Sequence, residues 1–216
     1  MAVAESLTNL VAAHVGDLSR IKLSANWMCA ASKEGEGAAL YEAVRAIGLD
    51  LCPALGVGIP VGKDSMSMSM KWREVETQAQ KEVSAPLSLI VTAFAPVEDV
   101  RNTWTPHLRT DVDEPTSFVF FDLANGKERM GGSALAQVFK EIGAAAPDVE
   151  DPAVLKAFFQ GCQDIKKSNS DFVSPYRDRS DGGLFTAIVE MCFAGRVGVE
   201  ISLDTLHGIE NPVSIS

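Results

Sequence analysis

Arg177-Asp178-Arg179-Ser180-Asp181-Gly182-Gly183-Leu184 runs directly into Phe185-Thr186-Ala187-Ile188-Val189-Glu190-Met191. Two carboxylates, a hydroxyl and a Gly-Gly pair thus stand before an apolar run with helical spacing. A helix starting there turns its unpaired N–H groups back on the loop, a geometry that suits a phosphate. Gly182 and Gly183 allow close backbone approach, because they carry no side chain and tolerate positive φ. Asp178 offers a hard oxygen ligand to Mg²⁺ against the same phosphate. The same residues also fit a plain loop in which Ser180 or Asp181 caps a helix over 184–194. The motif is short, so partners elsewhere in the chain must decide between the two.

Working outward, the 216 residues suit one large domain or two small ones. Hydrophobic content of 46% and charged content of 22% are those of a globular protein. The net charge of −10 argues against a nucleic-acid partner. It leaves room for a small phosphorylated ligand, whose charge a metal ion balances locally. Cys29, Cys52, Cys162 and Cys192 show no C-x-x-C spacing, and no signal peptide or membrane-length apolar run is present. They read as reduced, mostly buried thiols of a cytoplasmic protein with no membrane partner. His14, His107 and His207 stand far in sequence from one another and from the cysteines, which argues against a zinc site.

Helical spacing already runs at Val3, Leu7, Leu10 and Val11, and predicts a helix over 2–15. Glu5 and Asn9 lie four apart and share its face, as a pair of Mg²⁺ ligands or as a surface hydrogen-bonded pair. Leu23–Met28 is too short and uncharged for an exposed helix and belongs under a layer. Leu40, Val44, Ile47, Leu51 and Leu55 mark an amphipathic helix, which Pro53, Gly56 and Gly58 bring to its end. The strand Val57–Val61 feeds Gly62-Lys63-Asp64-Ser65. A Walker loop is rejected there, because Val57 stands where that motif needs glycine. Lys63, Asp64 and Ser65 remain at the mouth of a strand alternating Ser and Met through Met70, placed to meet a ligand or to form a salt-linked turn.

Residues 73–85 read as an exposed excursion, and Leu87–Ala95 as a strand buried on both faces. A domain boundary is expected near 105–115. Beyond it come a strand over 117–123, a helix opened by Gly131-Gly132-Ser133, a helix over 152–166, a polar loop Lys166–Ser170 and a closing strand at Ile201–Leu203. The chain opens inside a helix and trails off over Asn211–Ser216, so a piece of a longer polypeptide is expected.

Taken in order, six stretches resemble the large, single-chain phosphoribosylformylglycinamidine synthases. They are Ala4-Glu5-Ser6-Leu7-Thr8-Asn9, Leu23-Ser24-Ala25-Asn26-Trp27-Met28, Pro60-Val61-Gly62-Lys63-Asp64-Ser65-Met66-Ser67-Met68, Pro86-Leu87-Ser88-Leu89, Gly131-Gly132-Ser133-Ala134-Leu135-Ala136-Gln137 and Asp178-Arg179-Ser180-Asp181-Gly182-Gly183-Leu184. The resemblance runs almost end to end and covers a central slice of that family's longer chain. It implies an α/β (α+β) fold built from an aminoimidazole-ribonucleotide-synthetase-like unit. Residues 1–105 would be the rear of the second A domain, and 106–216 the front of the second B domain.

The implied activity is a ligase step of purine biosynthesis. Formylglycinamide ribonucleotide, glutamine and ATP become formylglycinamidine ribonucleotide, glutamate, ADP and phosphate. The implied site is a structural ADP with Mg²⁺, held by Glu5, Asn9 and Asp178, with Ser180 on the phosphates. Lys63, Asp64, Gly182 and Gly183 complete the expected nucleotide contacts, and no residue here is expected to be catalytic. The expected partners are nucleotides and the rest of the polypeptide, including the first synthetase half and the glutaminase domain, so this slice alone should be inactive. One departure is that Arg177 stands where the family usually has His, which leaves Asp178 less firmly oriented. Two other readings stay open: a stand-alone synthetase- or kinase-like relative, and a nucleotide-binding module without turnover.

Overall fold

The computed structural model describes residues 1–113, 116–168 and 175–203. Its contacts divide the chain into two compact units. One holds Asp17–Pro96; the other joins Val3–Gly16 to the residues described from Val97 onward.

In the first unit, β1 (Lys22–Met28) is the central strand of three. It pairs in parallel with β2 (Gly58–Ser65) and antiparallel with β5 (Ser88–Phe94). Leu23 and Ala25 alternate into the core along β1. The β1–β2 connection is a helical rod: α2 (Glu36–Arg45), a π-helical stretch (Ala46–Leu51) and α3 (Cys52–Leu55). The widened turn precedes Pro53, which has no N–H to donate. Gly56 ends the rod in the left-handed conformation at φ 79°. A short hairpin, β3 (Ser69–Arg73) against β4 (Gln80–Ser84), completes the unit.

Two expectations change here. The excursion over 73–85 folds back and forms β4, because its polar residues suit an exposed hairpin. In β5, Ile90 and Phe94 are 53% and 47% exposed while Leu89, Val91 and Ala93 are half-buried. Among the described residues β5 pairs on one side only, with β1, and buries one face rather than two.

In the second unit, α1 (Ala2–Leu10) buries Val3 and Leu7, and Val11 and Val15 continue the buried set beyond it. The predicted helix over 2–15 therefore stops early, in a turn followed by irregular chain. Ser133 caps the short α4 (Ala134–Val138), accepting from the Ala136 N–H. Helix α5 (Pro152–Ser168) buries Leu155, Phe159, Cys162, Gln163 and Lys166, and α6 (Gly183–Gly195) buries Ala187 and Met191. Lys166 is not the start of a polar loop. It lies in the last turn of α5, 1% exposed, with Nζ 3.3 Å from the Trp104 ring centroid. Residues 116–123 form no strand, since no ladder partner exists for them among the described residues, and Phe118–Phe121 stay exposed. Ile201–Leu203, expected as the closing strand, likewise carry none, and the trailing stretch Asn211–Ser216 lies outside the described residues.

Polar contacts bind this unit across long sequence separations. Gln163 accepts from the Val15 and Gly16 N–H groups at 2.9 and 3.0 Å and donates to the Val11 and Ala13 carbonyls at 3.4 and 3.1 Å. The Asn102 amide donates to the Lys166 carbonyl at 2.8 Å. His14 Nε2 lies 3.4 Å from Glu98 Oε2. The segment after α1 is thus tied both to α5 and to the arm over 97–104.

Candidate magnesium and diphosphate site

Two pieces of chain meet at the candidate site: the exposed face of α1 and the turn before α6. The Asn9 amide donates to Asp178 Oδ2 at 2.9 Å, across 169 residues of sequence. The Ser180 hydroxyl donates to Glu5 Oε1 at 2.5 Å, across 175. Glu5 and Asn9 share a helix face as their spacing demands, and the Asn9 amide also reaches the Glu5 carbonyl at 3.4 Å. Tyr176 donates its phenol hydroxyl to the Thr8 carbonyl at 2.8 Å, and its own N–H bonds the Thr105 carbonyl at 2.9 Å.

Asp178 is buried, and burial pushes its carboxyl above the usual range; the neighbouring Glu5 carboxylate pushes the same way. A hydrogen bond from its own backbone N–H, then the Arg177 charge and a hydrogen bond from the Thr8 side chain, oppose the shift. Arg177 pairs through Nη2 with Glu190 of α6, while Nη1 lies 3.8 Å from Asp178 Oδ1. Burial, with the Asp178 carboxylate nearby, raises the Tyr176 phenol, which therefore stays protonated as a donor.

The turn before α6 differs from a capped loop. The N-cap is Gly182, in the left-handed region at φ 83°, and no side chain caps the helix. A Cβ at Gly182 would stand 2.2 Å from Thr186 Oγ1, so both conformation and space require glycine there. Gly183 follows at φ 70°. Ser180 is turned away to Glu5, so neither Ser180 nor Asp181 caps the helix, and the first N–H groups of α6 keep no side-chain partner.

This arrangement fits a divalent cation. Glu5 and Asp178 are two nearby carboxylates, one of them buried, and Asn9 adds an amide oxygen, all hard ligands. As the site stands, Asn9 turns its NH₂ toward Asp178, so ligation requires the amide to present its other face. No group of three or more His, Cys, Asp and Glu suited to a metal exists among the described residues; the third candidate here is an amide.

Lys63 and Asp64 belong to the other compact unit. They sit exposed near the end of β2, opposite Asn26 and Trp27 of β1. Sequence reasoning missed Thr8, Tyr176 and Gln163. The one available sign was position: Thr8 lies beside Asn9, and Tyr176 two residues before Asp178.

All four cysteines are free. Burial raises the thiols of Cys29, Cys52 and Cys162, so these are poor nucleophiles. No helix among the described residues is long and apolar enough to cross a membrane.

Comparison with known proteins bears on the family of the chain. Residues 1–96 match the FGAR-AT PurM_N-like domain, and residues 123–215 match the AIR synthase related protein, C-terminal domain. The phosphoribosylformylglycinamidine synthase of Schizosaccharomyces pombe is 56% identical over 207 residues, which are 95% of this chain. The match spans 15% of that relative's length. With an α/β fold, two matched domains in series and near-complete coverage at this identity, the chain belongs to the phosphoribosylformylglycinamidine synthase family.

Proposed function

We propose that this chain serves an ATP-dependent, glutamine-dependent ligase of purine biosynthesis, and that its own contribution is a site for Mg²⁺ and the diphosphate of ADP. In that reading the whole enzyme converts formylglycinamide ribonucleotide, glutamine and ATP to formylglycinamidine ribonucleotide, glutamate, ADP and phosphate. Residues 1–105 are the rear of an A domain and 106–216 the front of a B domain. The rest of such a polypeptide, with its first synthetase half and glutaminase domain, is the chief partner. The compartment is the cytoplasm, which the four free thiols suit.

The observation that carries the site is the convergence of Glu5 and Asn9 with Asp178 and Ser180 from opposite ends of the sequence. Glu5, Asn9 and Asp178 would hold the cation, and bound there it would neutralise diphosphate charge on an acidic protein. With the cation bound, Ser180 would turn from Glu5 to donate to the phosphates, beside the Gly182–Gly183 turn and the first N–H groups of α6, which no side chain caps. Lys63 and Asp64 are proposed as further nucleotide contacts. In this reading Glu5, Asn9 and Asp178 serve as cation ligands and Ser180 as a phosphate donor, so the role proposed is to hold a nucleotide rather than to turn one over.

Calorimetric titration with ADP, with and without Mg²⁺, tests the proposal. Magnesium should strengthen ADP binding, and Glu5→Gln or Asp178→Asn should remove most of that gain. Equal Mg²⁺ enhancement in both variants refutes the ligand assignment.

A further inference from the structure

Building on the magnesium-site reading above, we infer that Tyr176 is a positioning residue, whose phenol fixes α1, and with it Glu5 and Asn9, against the Asp178 loop. The need arises where α1 ends. Of its last carbonyls, Leu7 accepts from the Val11 N–H at 3.1 Å, Asn9 from Ala12 at 3.2 Å, and Leu10 from Ala13 at 3.0 Å. The Ala12 N–H that would ordinarily serve Thr8 has gone to Asn9 instead. The Thr8 carbonyl is one of the orphans a helix end leaves, and the Tyr176 hydroxyl takes it at 2.8 Å, from 168 residues away.

Sequence spacing turns this cap into a gauge. Thr8 precedes Asn9 directly, and Tyr176 precedes Asp178 by two, the interval at which side chains of an extended chain share a face. Tyr176 reaches Thr8 while Asp178 reaches Asn9, so two parallel bonds join the same two segments. One involves a proposed ligand pair and the other involves none. The phenol ring is itself held. Trp104 packs against it with centroids 6.1 Å apart and planes at 44°, and Trp104 is 6% exposed. The Trp104 N–H bonds the Ala12 carbonyl at 2.9 Å, so the ring's support is fastened to the segment that follows α1. The Lys166 ammonium covers the Trp104 face from α5.

Tyr176→Phe removes the hydroxyl and keeps the ring. With the 216-residue chain saturated in ADP, Mg²⁺ is titrated by calorimetry, alongside ADP alone and urea unfolding. The expected result is about a tenfold loss of Mg²⁺ affinity, the scale of one lost hydrogen bond with an orphaned acceptor, and ADP affinity without Mg²⁺ changed less than twofold. A purely structural role lowers the urea midpoint and the binding stoichiometry while leaving the Mg²⁺ dissociation constant alone. That outcome, or unchanged affinity altogether, overturns the inference.

Should Tyr176→Phe not fold, 3-fluorotyrosine replaces the chain's two tyrosines, with the exposed Tyr41 as internal reference. The Tyr176 fluorine resonance should then move on adding Mg²⁺ to the ADP complex while Tyr41 stays still; no movement overturns the inference. Glu5→Gln and Asp178→Asn run in parallel. If both bind Mg²⁺ as the parent does, the site reading itself fails. If both lose it and Tyr176→Phe does not, only the positioning role fails.

Discussion

Gln163 carries four of the second unit's long-range hydrogen bonds. At 1% exposure its amide uses both acceptor sites on the Val15 and Gly16 N–H groups and both donors on the Val11 and Ala13 carbonyls. Gln163→Met keeps length and removes all four bonds, to two N–H groups and two carbonyls. The expected loss is about 2–4 kcal/mol, read as a lower urea midpoint with an unchanged slope. Gly182→Ala should cost about 1–3 kcal/mol, because φ 83° and the Thr186 hydroxyl both exclude a methyl group; thermal or urea unfolding measures it.

Lys166 gives a pH signature. Burial lowers its ammonium from 10.5 to about 7, with the charge of Cys162, where ionised, pulling the other way. Between those values the unfolded chain holds a proton that the folded chain lacks. Stability should therefore rise with pH across this window relative to Lys166→Met, and equal pH slopes in the two proteins would contradict the assignment.

At this scale the sequence was readable where spacing alone placed a group. Glu5 and Asn9 sit on one helix face because they are four apart, and Gly182 takes a conformation that glycine favours. Gln163 and Lys166 were not readable. A polar side chain near an apolar stripe looks like surface until a partner from a distant segment, or an aromatic face such as Trp104, is known to meet it.

Among the elements, α5 shows why helices were read more surely than strands. Leu155, Phe159, Cys162 and Lys166 recur at helical intervals, and that period is local information. Phe159, 1% exposed, is the largest apolar side chain among the fully buried residues. Phe159→Ala should lower stability by about 3–5 kcal/mol in chemical unfolding, with no separate change in Mg²⁺ affinity for the folded protein. Where the period failed, a competing local effect won. Helix α1 stops at Leu10 because the following segment gives its backbone groups to Gln163, and the rod before β2 widens ahead of Pro53.

A strand depends on its partner. The apolar stretch 117–123 looks like a strand, yet it finds no ladder among the described residues, whereas the polar stretch Gln80–Ser84 pairs because β3 lies within reach of a short turn. The same logic explains β5, whose apolar run suggested burial on two faces. Its place at the edge of a three-stranded order gives it one.

At the scale of the whole chain, a net charge of −10 and a site for an anionic nucleotide look incompatible until a cation stands between them. The family match gives the chain its context, and the convergence of Glu5 and Asn9 with Asp178 is what supports the proposed task within it. Because the proposed ligands come from α1 and from the loop before α6, binding should favour the folded state of the unit that carries both. Mg²⁺ with ADP at a hundred times the dissociation constant should add about 2.7 kcal/mol, seen as a higher thermal midpoint that a chelator reverses. Glu5→Gln and Asp178→Asn should show little of that rise.

The most direct measurement is anomalous diffraction at the manganese edge from crystals grown with Mn²⁺ and ADP, Mn²⁺ standing in for Mg²⁺ as a hard, oxygen-seeking ion. The predicted result is a peak bounded by oxygens of Glu5, Asn9 and Asp178, with diphosphate oxygens on its far side toward Ser180 and Gly182. ADP bound with no metal among these three residues, or a manganese peak seated elsewhere, would contradict it.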